Sequence, residues 1–107
     1  MTAATDSTIS MTCPDVNENT YVLLLEWKCK GKCSEKGTQT LLKFTRGRGL
    51  TKQKDPRFTL DESHFELKVT GVRIEDAGDY FCLVNNKAEV DDRVRLTVLG
   101  NILLISL

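Results

Sequence analysis

Short apolar segments separated by turn-forming residues run along the whole chain and limit the folds that it can adopt. Residues 8–13 place Ile9, Met11 and Cys13 on one face, which is the two-residue period of a half-buried β-strand. Almost no i, i+3, i+4 spacing supports a helix. Similar segments, rich in β-branched and aromatic residues, follow at residues 21–28, 40–45, 57–60, 65–69, 79–84 and 93–99. Short strands with frequent turns predict an all-β sandwich or barrel.

The chain is long enough for one hydrophobic core. At 107 residues, a folded domain buries roughly two-thirds of the surface of its unfolded chain. Leu23, Leu25 and Trp27 share one parity of the second predicted strand and are expected to line that core together. We therefore expect one domain over residues 1–100, with the apolar residues 101–107 forming a tail or the start of a linker. This tail could also extend the last strand and join a dimer.

Charge is balanced over the whole chain but not along it. The formal net charge is zero, with 15 basic and 15 acidic residues, so the sequence lacks the overall field of a nucleic-acid binder and no nucleic-acid partner is predicted. Residues 28–57 hold ten Lys and Arg side chains against only Glu35 and Asp55, an excess of eight positive charges. That segment is a candidate for binding an anionic glycan or lipid head group.

The cysteine count indicates the compartment. Four cysteines in a chain this short favour two disulfides and an oxidising environment over four free thiols, although a cytosolic protein with buried thiols is the alternative. No run of about 20 apolar residues could span a bilayer, so no membrane span is expected in this chain. The sequence predicts an extracellular domain, either secreted or part of the ectodomain of a membrane protein.

Three elements narrow the fold: Cys13, Trp27 and the run Asp-Ala-Gly-Asp-Tyr-Phe-Cys at residues 76–82. The combination resembles the Cys, Trp and Asp-x-Gly-x-Tyr-x-Cys pattern of the immunoglobulin superfamily, with agreement at six positions. The resemblance implies a two-sheet antiparallel Greek-key sandwich in which a Cys13–Cys82 disulfide joins the sheets. It also implies that Trp27 packs against this disulfide and that the Tyr80 hydroxyl bonds to backbone a few residues upstream.

The same resemblance extends to the variable type of domain. Arg57 resembles the arginine that pairs with an aspartate at the position of Asp76, and the 29 residues between Trp27 and Arg57 can form the two extra strands of variable domains, with residues 41–44 in the first. Residues 95–100 resemble the joining-segment end of antigen-receptor light chains. A V-set domain of the non-rearranging, antigen-receptor-like kind is therefore implied.

Cys29 and Cys33 form a second close pair. A straight strand would separate them by about 13 Å, so the chain must turn at Gly31 for a disulfide to form. The junction between two strands of the predicted sheet requires such a turn, and a Cys29–Cys33 disulfide is expected. A zinc site would need further ligands, and His64 is the only histidine, so no metal is predicted.

Catalysis is not expected from this sequence. Asp76 and Asp79 flank a turn, but the family pattern assigns Asp76 to structure. No nucleophile with a neighbouring base is recognisable, and the Arg-Gly-Arg-Gly run at residues 46–49 lacks the spacing of a phosphate loop. We predict a binding module without cofactor, not an enzyme.

A partner surface is predicted on the sheet that carries Phe81 and Leu83. These residues alternate with the inward-facing Tyr80 and Cys82, and exposed apolar side chains there suggest a partner, unless neighbouring side chains or loops cover them. At least one of the apolar residues of segment 41–44 is expected to face outward as well. The full candidate set is Phe81, Leu83, Leu41, Leu42, Phe44, Lys28, Lys30, Arg46, Arg48, Asn85 and Asn86.

The partner of this surface is left open among three kinds. An immune-type receptor domain would bind a protein ligand or a second copy of itself through this sheet and the loops near residues 14–22, 45–52 and 85–92, and a symmetric homodimer is the expected form of self-association. A homotypic adhesion module is the second possibility. The third is an anionic glycan or lipid head group bound by residues 28–57.

Overall fold

The computed structural model describes residues 1–87 and 93–100, which form β-strands and one short 3-10 helix. The strands are β1 (Thr2–Ala4), β2 (Thr8–Met11), β3 (Leu24–Lys30), β4 (Thr38–Thr45), β5 (Gly49–Gln53), β6 (Phe58–Asp61), β7 (Glu66–Thr70), β8 (Gly78–Val84) and β9 (Arg93–Leu99), and the 3-10 helix is Ile74–Asp76. The tail prediction for residues 101–107 lies outside the described residues.

The strands form two sheets that pack face to face. One has six strands in the order β1-β9-β8-β3-β4-β5, and the other has three in the order β2-β7-β6. Neighbouring strands are antiparallel except β1 and β9, which pair in parallel. The predicted all-β, two-sheet immunoglobulin sandwich is confirmed.

The core between the sheets is built around one disulfide. Cys13, just after β2, is bonded to Cys82 in β8, with 5.5 Å between their Cα atoms. Trp27 lies directly opposite Cys82 in the ladder between β3 and β8 and is fully buried, so its ring packs beside the disulfide. Its indole Nε1 donates a hydrogen bond to the Phe65 carbonyl at 3.3 Å. This bond satisfies the one polar atom of the side chain inside the core.

Strand β3 corrects one core assignment. It begins at Leu24, three residues later than the predicted strand, and Leu23 just before it is 52% exposed, whereas Leu25 and Trp27 are buried. The expectation that Leu23 lines the core is therefore wrong. The physical reason is that the Asn85 side chain accepts the Leu23 and Leu24 amide hydrogens at 2.8 and 3.1 Å, which holds the chain in a loop where strand pairing would otherwise continue.

Strands β1 and β5 were not recognised in the sequence as individual strands. β1 has only three residues, and four of the five residues of β5 are exposed, so neither shows the alternation of a half-buried strand. β5 nevertheless supplies the second of the two extra strands that the V-type resemblance implied, since it pairs with β4 at the edge of the six-stranded sheet.

Candidate binding face

An ion pair fixes the chain just before the start of β8. Arg57 makes a two-pronged contact with Asp76, with Nη1 to Oδ2 at 2.8 Å and Nη2 to Oδ1 at 2.9 Å. Asp76 is buried, and its hydrogen bond to Arg57 raises the pKa of that guanidinium above its usual value. The Tyr80 hydroxyl donates to the Asp76 backbone carbonyl, as the resemblance implied. These contacts fix the register of β8, and thereby the positions of its outward side chains.

A second disulfide fixes the end of β3. Cys29 and Cys33 are bonded, with 6.1 Å between their Cα atoms, and the chain turns between them at Gly31, whose φ of 117° lies in the region that favours glycine. The Cys33 amide donates to the Ala77 carbonyl at 3.0 Å. A Cβ at Gly78 would lie 2.8 Å from the Cys33 Sγ, so this close approach requires glycine. The turn is thus tied both to β3 and to the start of β8.

The pairing register divides the side chains of the six-stranded sheet between two faces. Trp27 and Cys82 are opposite each other and buried. Because successive side chains of a strand alternate between faces, the next pair along, Lys28 and Phe81, points outward. We call the outward side chains of β3, β4, β5, β8 and β9 the front face.

Phe81 and Leu83 are the apolar side chains that β8 contributes to the front face. Both are half-buried, and both lie among charged neighbours: Phe81 has Lys28 on one side and Arg93 on the other, and Leu83 is opposite Glu26. Neighbouring side chains therefore cover part of these two residues, but each keeps an exposed portion. This arrangement of apolar centre and polar surround is typical of a protein interface.

The charged part of the front face is predominantly basic. Its cations are Lys28, Lys30, Lys43, Lys52, Arg93 and Arg95, which alternate outward on four of the five strands. Among the residues that the structure describes, its acids are Glu26 and Asp79, which leaves an excess of four positive charges on the described part of this face, although the net charge of the whole chain is zero. Arg95 donates to Asp79 from Nε at 2.9 Å, and this hydrogen bond holds the pKa of the Asp79 carboxyl below its usual value.

The structure corrects the assignment of Leu41, Leu42 and Phe44 to this surface. All three are buried in the core, with exposures of 0%, 0% and 4%. The register shifts between Trp27 and Lys28, so that Trp27 is opposite Leu42 while Lys28 is opposite Thr40. The bulge leaves Leu41 without an opposite residue, and two successive leucines of β4 are buried. The prediction that at least one of these three side chains faces outward is wrong.

Arg46, Arg48, Asn85 and Asn86 lie in turns at one end of the sandwich and not on the front face. The Arg46 guanidinium stacks over the Tyr21 ring at 4.3 Å and its Nε donates to the Val22 carbonyl at 2.7 Å.

Tyr21 lies in one of the loops predicted to bind, and Leu23, which was expected in the core, follows it; both are exposed apolar residues. They are 64% and 52% exposed, because the loop preceding β3 points them away from the core. The Asn85 amide donates to the Tyr21 carbonyl at 2.9 Å, so this loop is bonded to the turn after β8. The apolar residues of segment 21–28 led to the prediction of one continuous strand, because an apolar pattern alone does not distinguish a strand from an exposed loop.

The basic segment at residues 28–57 does not form one continuous patch. Arg57 is used in the ion pair with Asp76, Arg46 covers Tyr21, and Lys54 donates from Nζ to the Cys33 carbonyl at 3.1 Å. Lys43 and Lys52, by contrast, are outward and directly opposite each other. The segment therefore contributes to several parts of the surface.

One group of side chains has the geometry of metal ligands. Ligand atoms of Asp61, His64 and Glu66 lie within 4.8 Å of one another at the outer edge of the three-stranded sheet, and His64 Nδ1 is 3.4 Å from Asp61 Oδ2. The sequence did not suggest this group, because its members follow no known ligand spacing. Asp61 and His64 are exposed, and the group by itself carries no argument for a metal.

Comparison with known proteins identifies the class. The family model for the immunoglobulin V-set domain matches residues 1–99. The chain belongs to the immunoglobulin V-set family, whose domains are typically binding modules. No curated protein matches the chain in sequence. Among the residues that the structure describes, no helix is long and apolar enough to cross a membrane.

Solved structures with a similar fold include domains of cell-surface receptors and adhesion proteins. The extracellular domain of the voltage-gated sodium channel beta4 subunit superposes with a TM-score of 0.71 at 18% identity, covering 94% of this chain and 84% of that one. The first immunoglobulin-like domain of human CD48 antigen gives 0.67 at 19% identity, covering 94% and 81%. A chicken T-cell receptor gives 0.68 at 19% identity, covering 94% of this chain but only 47% of the receptor chain. At these identities the likeness concerns the fold.

Proposed function

We propose that this domain is an extracellular recognition module of an immune-type receptor, not an enzyme, and that it binds a protein partner through the front face. The observation that carries the proposal is the pair Phe81 and Leu83, two half-buried apolar side chains whose neighbours on the adjacent strands are charged residues. Interfaces commonly combine such an apolar centre with a charged or polar rim. Two disulfides and the V-set family support an extracellular site of action.

A homotypic adhesion module is the second candidate. It is favoured by the same apolar pair, since a two-fold dimer could bury both copies of Phe81 against each other. The beta4 subunit, which shares the fold, forms parallel homodimers that explain its role in cell-cell adhesion. Its identity to this chain is 18%, so the homodimer remains a prediction for the present domain.

Both candidates can be tested with one variant and one control. Phe81→Glu adds a charge at the apolar centre, and Thr70→Glu adds the same residue at an exposed position on the three-stranded sheet. A tagged tetramer of the domain would be applied to an array of purified cell-surface ectodomains that includes the domain itself. We expect Phe81→Glu to abolish binding to the recognised ectodomain and Thr70→Glu to retain it.

One result would contradict the proposal. Binding that survives Phe81→Glu would move the contact to another surface, with Tyr21 and Leu23 as the next residues to substitute. Sedimentation equilibrium of the wild type distinguishes the two candidates, because a protein that stays monomeric at high micromolar concentration cannot be the predicted homodimer.

A further inference from the structure

Within the proposed function, we infer that the partner of the front face is an acidic protein surface, with carboxylates arranged around an apolar contact, and not a second copy of this chain. The inference rests on the front face being the binding surface. It concerns the charge and polarity of the partner. It is supported by the positions of the lysines on the front face and by the hydrogen bonds and ion pairs that the neighbouring acids already form.

Lys43 and Lys52 form an uncompensated pair. They are directly opposite each other on β4 and β5, where like charges in adjacent strands destabilise a sheet. Among the described residues, neither is in an ion pair. Glu26 is opposite Lys43 on the other side, but its carboxylate binds the Thr40 hydroxyl at 2.7 Å and lies 3.7 Å from Lys28. A partner carboxylate between Lys43 and Lys52 would relieve their repulsion.

The other cations continue this pattern across the sheet. In the row of Phe81, Arg93 lies one strand away on one side and Lys28 one strand away on the other, at the spacing of about 4.8 Å between strands. Within the described part of the chain, Arg93 and Arg95 share one acid, Asp79, at 3.9 and 2.9 Å. The apolar centre is thus flanked by more positive charge than the described residues neutralise.

A second copy is a poor match for this surface. Counted over residues 1–87 and 93–100, each copy brings an excess of four positive charges on this face, and Glu26 and Asp79 are already bonded within their own sheet. At physiological ionic strength charges within about 8 Å still repel, and a face-to-face dimer would bring them within that range.

A sulfated glycan is a poorer match for another reason. It would use the cations but not Phe81 and Leu83. An acidic protein surface can use both kinds of group, because apolar side chains can contact the centre while carboxylates reach the lysines at the rim.

Short peptides of defined composition test the chemistry directly. The probes are a peptide in which Glu and Leu alternate, one with Ser in place of each Leu, and one with Lys in place of each Glu. Binding to the isotopically labelled domain would be followed by NMR amide shifts at low salt. We expect the Glu-Leu peptide to bind at the amides of Phe81 and Lys43, the Glu-Ser peptide to bind more weakly, and the Lys-Leu peptide to cause no saturable shift.

Lys52→Glu supplies a readout that a purely structural lysine would not give. It replaces repulsion from Lys43 by attraction, so we expect a higher melting temperature together with at least about a tenfold loss of affinity for the Glu-Leu peptide. The control Lys68→Glu makes the same charge change on the outer face of the three-stranded sheet and should leave affinity within about twofold.

Each outcome separates this inference from the proposed function. Failure of the Glu-Leu peptide to shift front-face amides overturns the acidic partner. If the wild type also self-associates in sedimentation and Phe81→Glu dissociates it, the front face still binds, but to a second copy. If heparin binds and responds to Lys52→Glu while the peptide does not bind, the ligand is a glycan. If neither peptide, heparin nor a second copy contacts the front face, and tetramer binding is insensitive to Phe81→Glu, both proposals fail.

Discussion

The two faces of the six-stranded sheet differ in what holds their side chains. The inner face carries Trp27, Tyr80 and a disulfide, and the Trp27 indole and the Tyr80 hydroxyl each donate a hydrogen bond to a backbone carbonyl. The outer face carries Lys43 and Lys52, which oppose each other without an ion pair among the described residues.

This difference separates stability from recognition. Substitutions on the inner face remove packing or leave a buried charge without its partner, which costs several kcal/mol. Substitutions among exposed charges usually change stability by no more than about 0.5 kcal/mol. Because both faces belong to the same strands, the outer residues can be varied while the inner residues keep the sheet in place.

The largest effect is expected from the disulfide between the sheets. Replacing Cys13 and Cys82 by Ala opens a loop that spans 69 residues and should destabilise the domain by about 4 kcal/mol in the chain-entropy model. Replacing Cys29 and Cys33, which are four residues apart, should cost about 2 kcal/mol in the same model. Urea denaturation of both double variants checks the order, and equal losses would show that loop length does not govern the difference.

The buried ion pair gives the next effect. Asp76→Asn keeps the shape of the side chain but removes the two-pronged ion pair, so that Arg57, only 17% exposed, keeps only Asp55 at 3.3 Å as a countercharge, and we expect a loss of about 2 to 3 kcal/mol. Asp79→Asn is the matched control, because the same change there affects a pair with the exposed Arg95. Its loss in thermal denaturation should be much smaller. Similar losses for the two variants would show that water screens the contact between Arg57 and Asp76 as strongly as it screens an exposed ion pair.

The sequence predicts the core residues of the six-stranded sheet better than the residues of its outer face. A spaced motif places four residues in the core, because a core that encloses a disulfide allows few alternatives at those positions: Cys13, Trp27, Tyr80 and Cys82. Leu41 was misassigned because its burial depends on a bulge opposite Trp27 and Lys28, and a bulge changes the face of a side chain without changing the pattern of residue types.

The excess of basic residues in segment 28–57 is evident from the sequence. How these side chains are distributed among different parts of the surface is not. Whether a lysine faces Glu26, another lysine or a backbone carbonyl depends on strand register, which pairs residues far apart in the chain. The opposition of Lys43 and Lys52 follows from the hairpin between β4 and β5 and its register shift after Lys43.

Tyr80 provides an effect that appears at alkaline pH. Burial raises the pKa of its hydroxyl above the usual value of 10.0, so above about pH 10 the unfolded chain releases this proton and the folded chain does not. Stability should then fall by about 1.4 kcal/mol per pH unit from this group. Tyr80→Phe should remove that part of the slope, at a cost of about 1 kcal/mol at neutral pH from the lost bond to the Asp76 carbonyl.

The matched control is Tyr21→Phe, since Tyr21 is 64% exposed. Denaturation of the wild type and both variants from about pH 9 to about pH 11 measures the slopes. A slope in Tyr80→Phe equal to that of the wild type would mean that other groups, such as lysines, account for the alkaline loss.

The smallest change in stability is expected on the front face, and the important point is whether it is a gain or a loss. Lys52→Gln removes the charge opposite Lys43, so the variant should be more stable than the wild type by up to about 0.5 kcal/mol at low salt. Added salt screens the repulsion, and the gain should disappear as the ionic strength rises. Lys68→Gln is the control, because Lys68 is opposite Ser10 and Thr59, so that its substitution relieves no such repulsion.

Thermal denaturation across a salt series measures the stability of both variants. A loss of stability in Lys52→Gln at low salt would mean that this lysine is already compensated in the free domain, and the outer face would then resemble the inner one in having its charges satisfied from within.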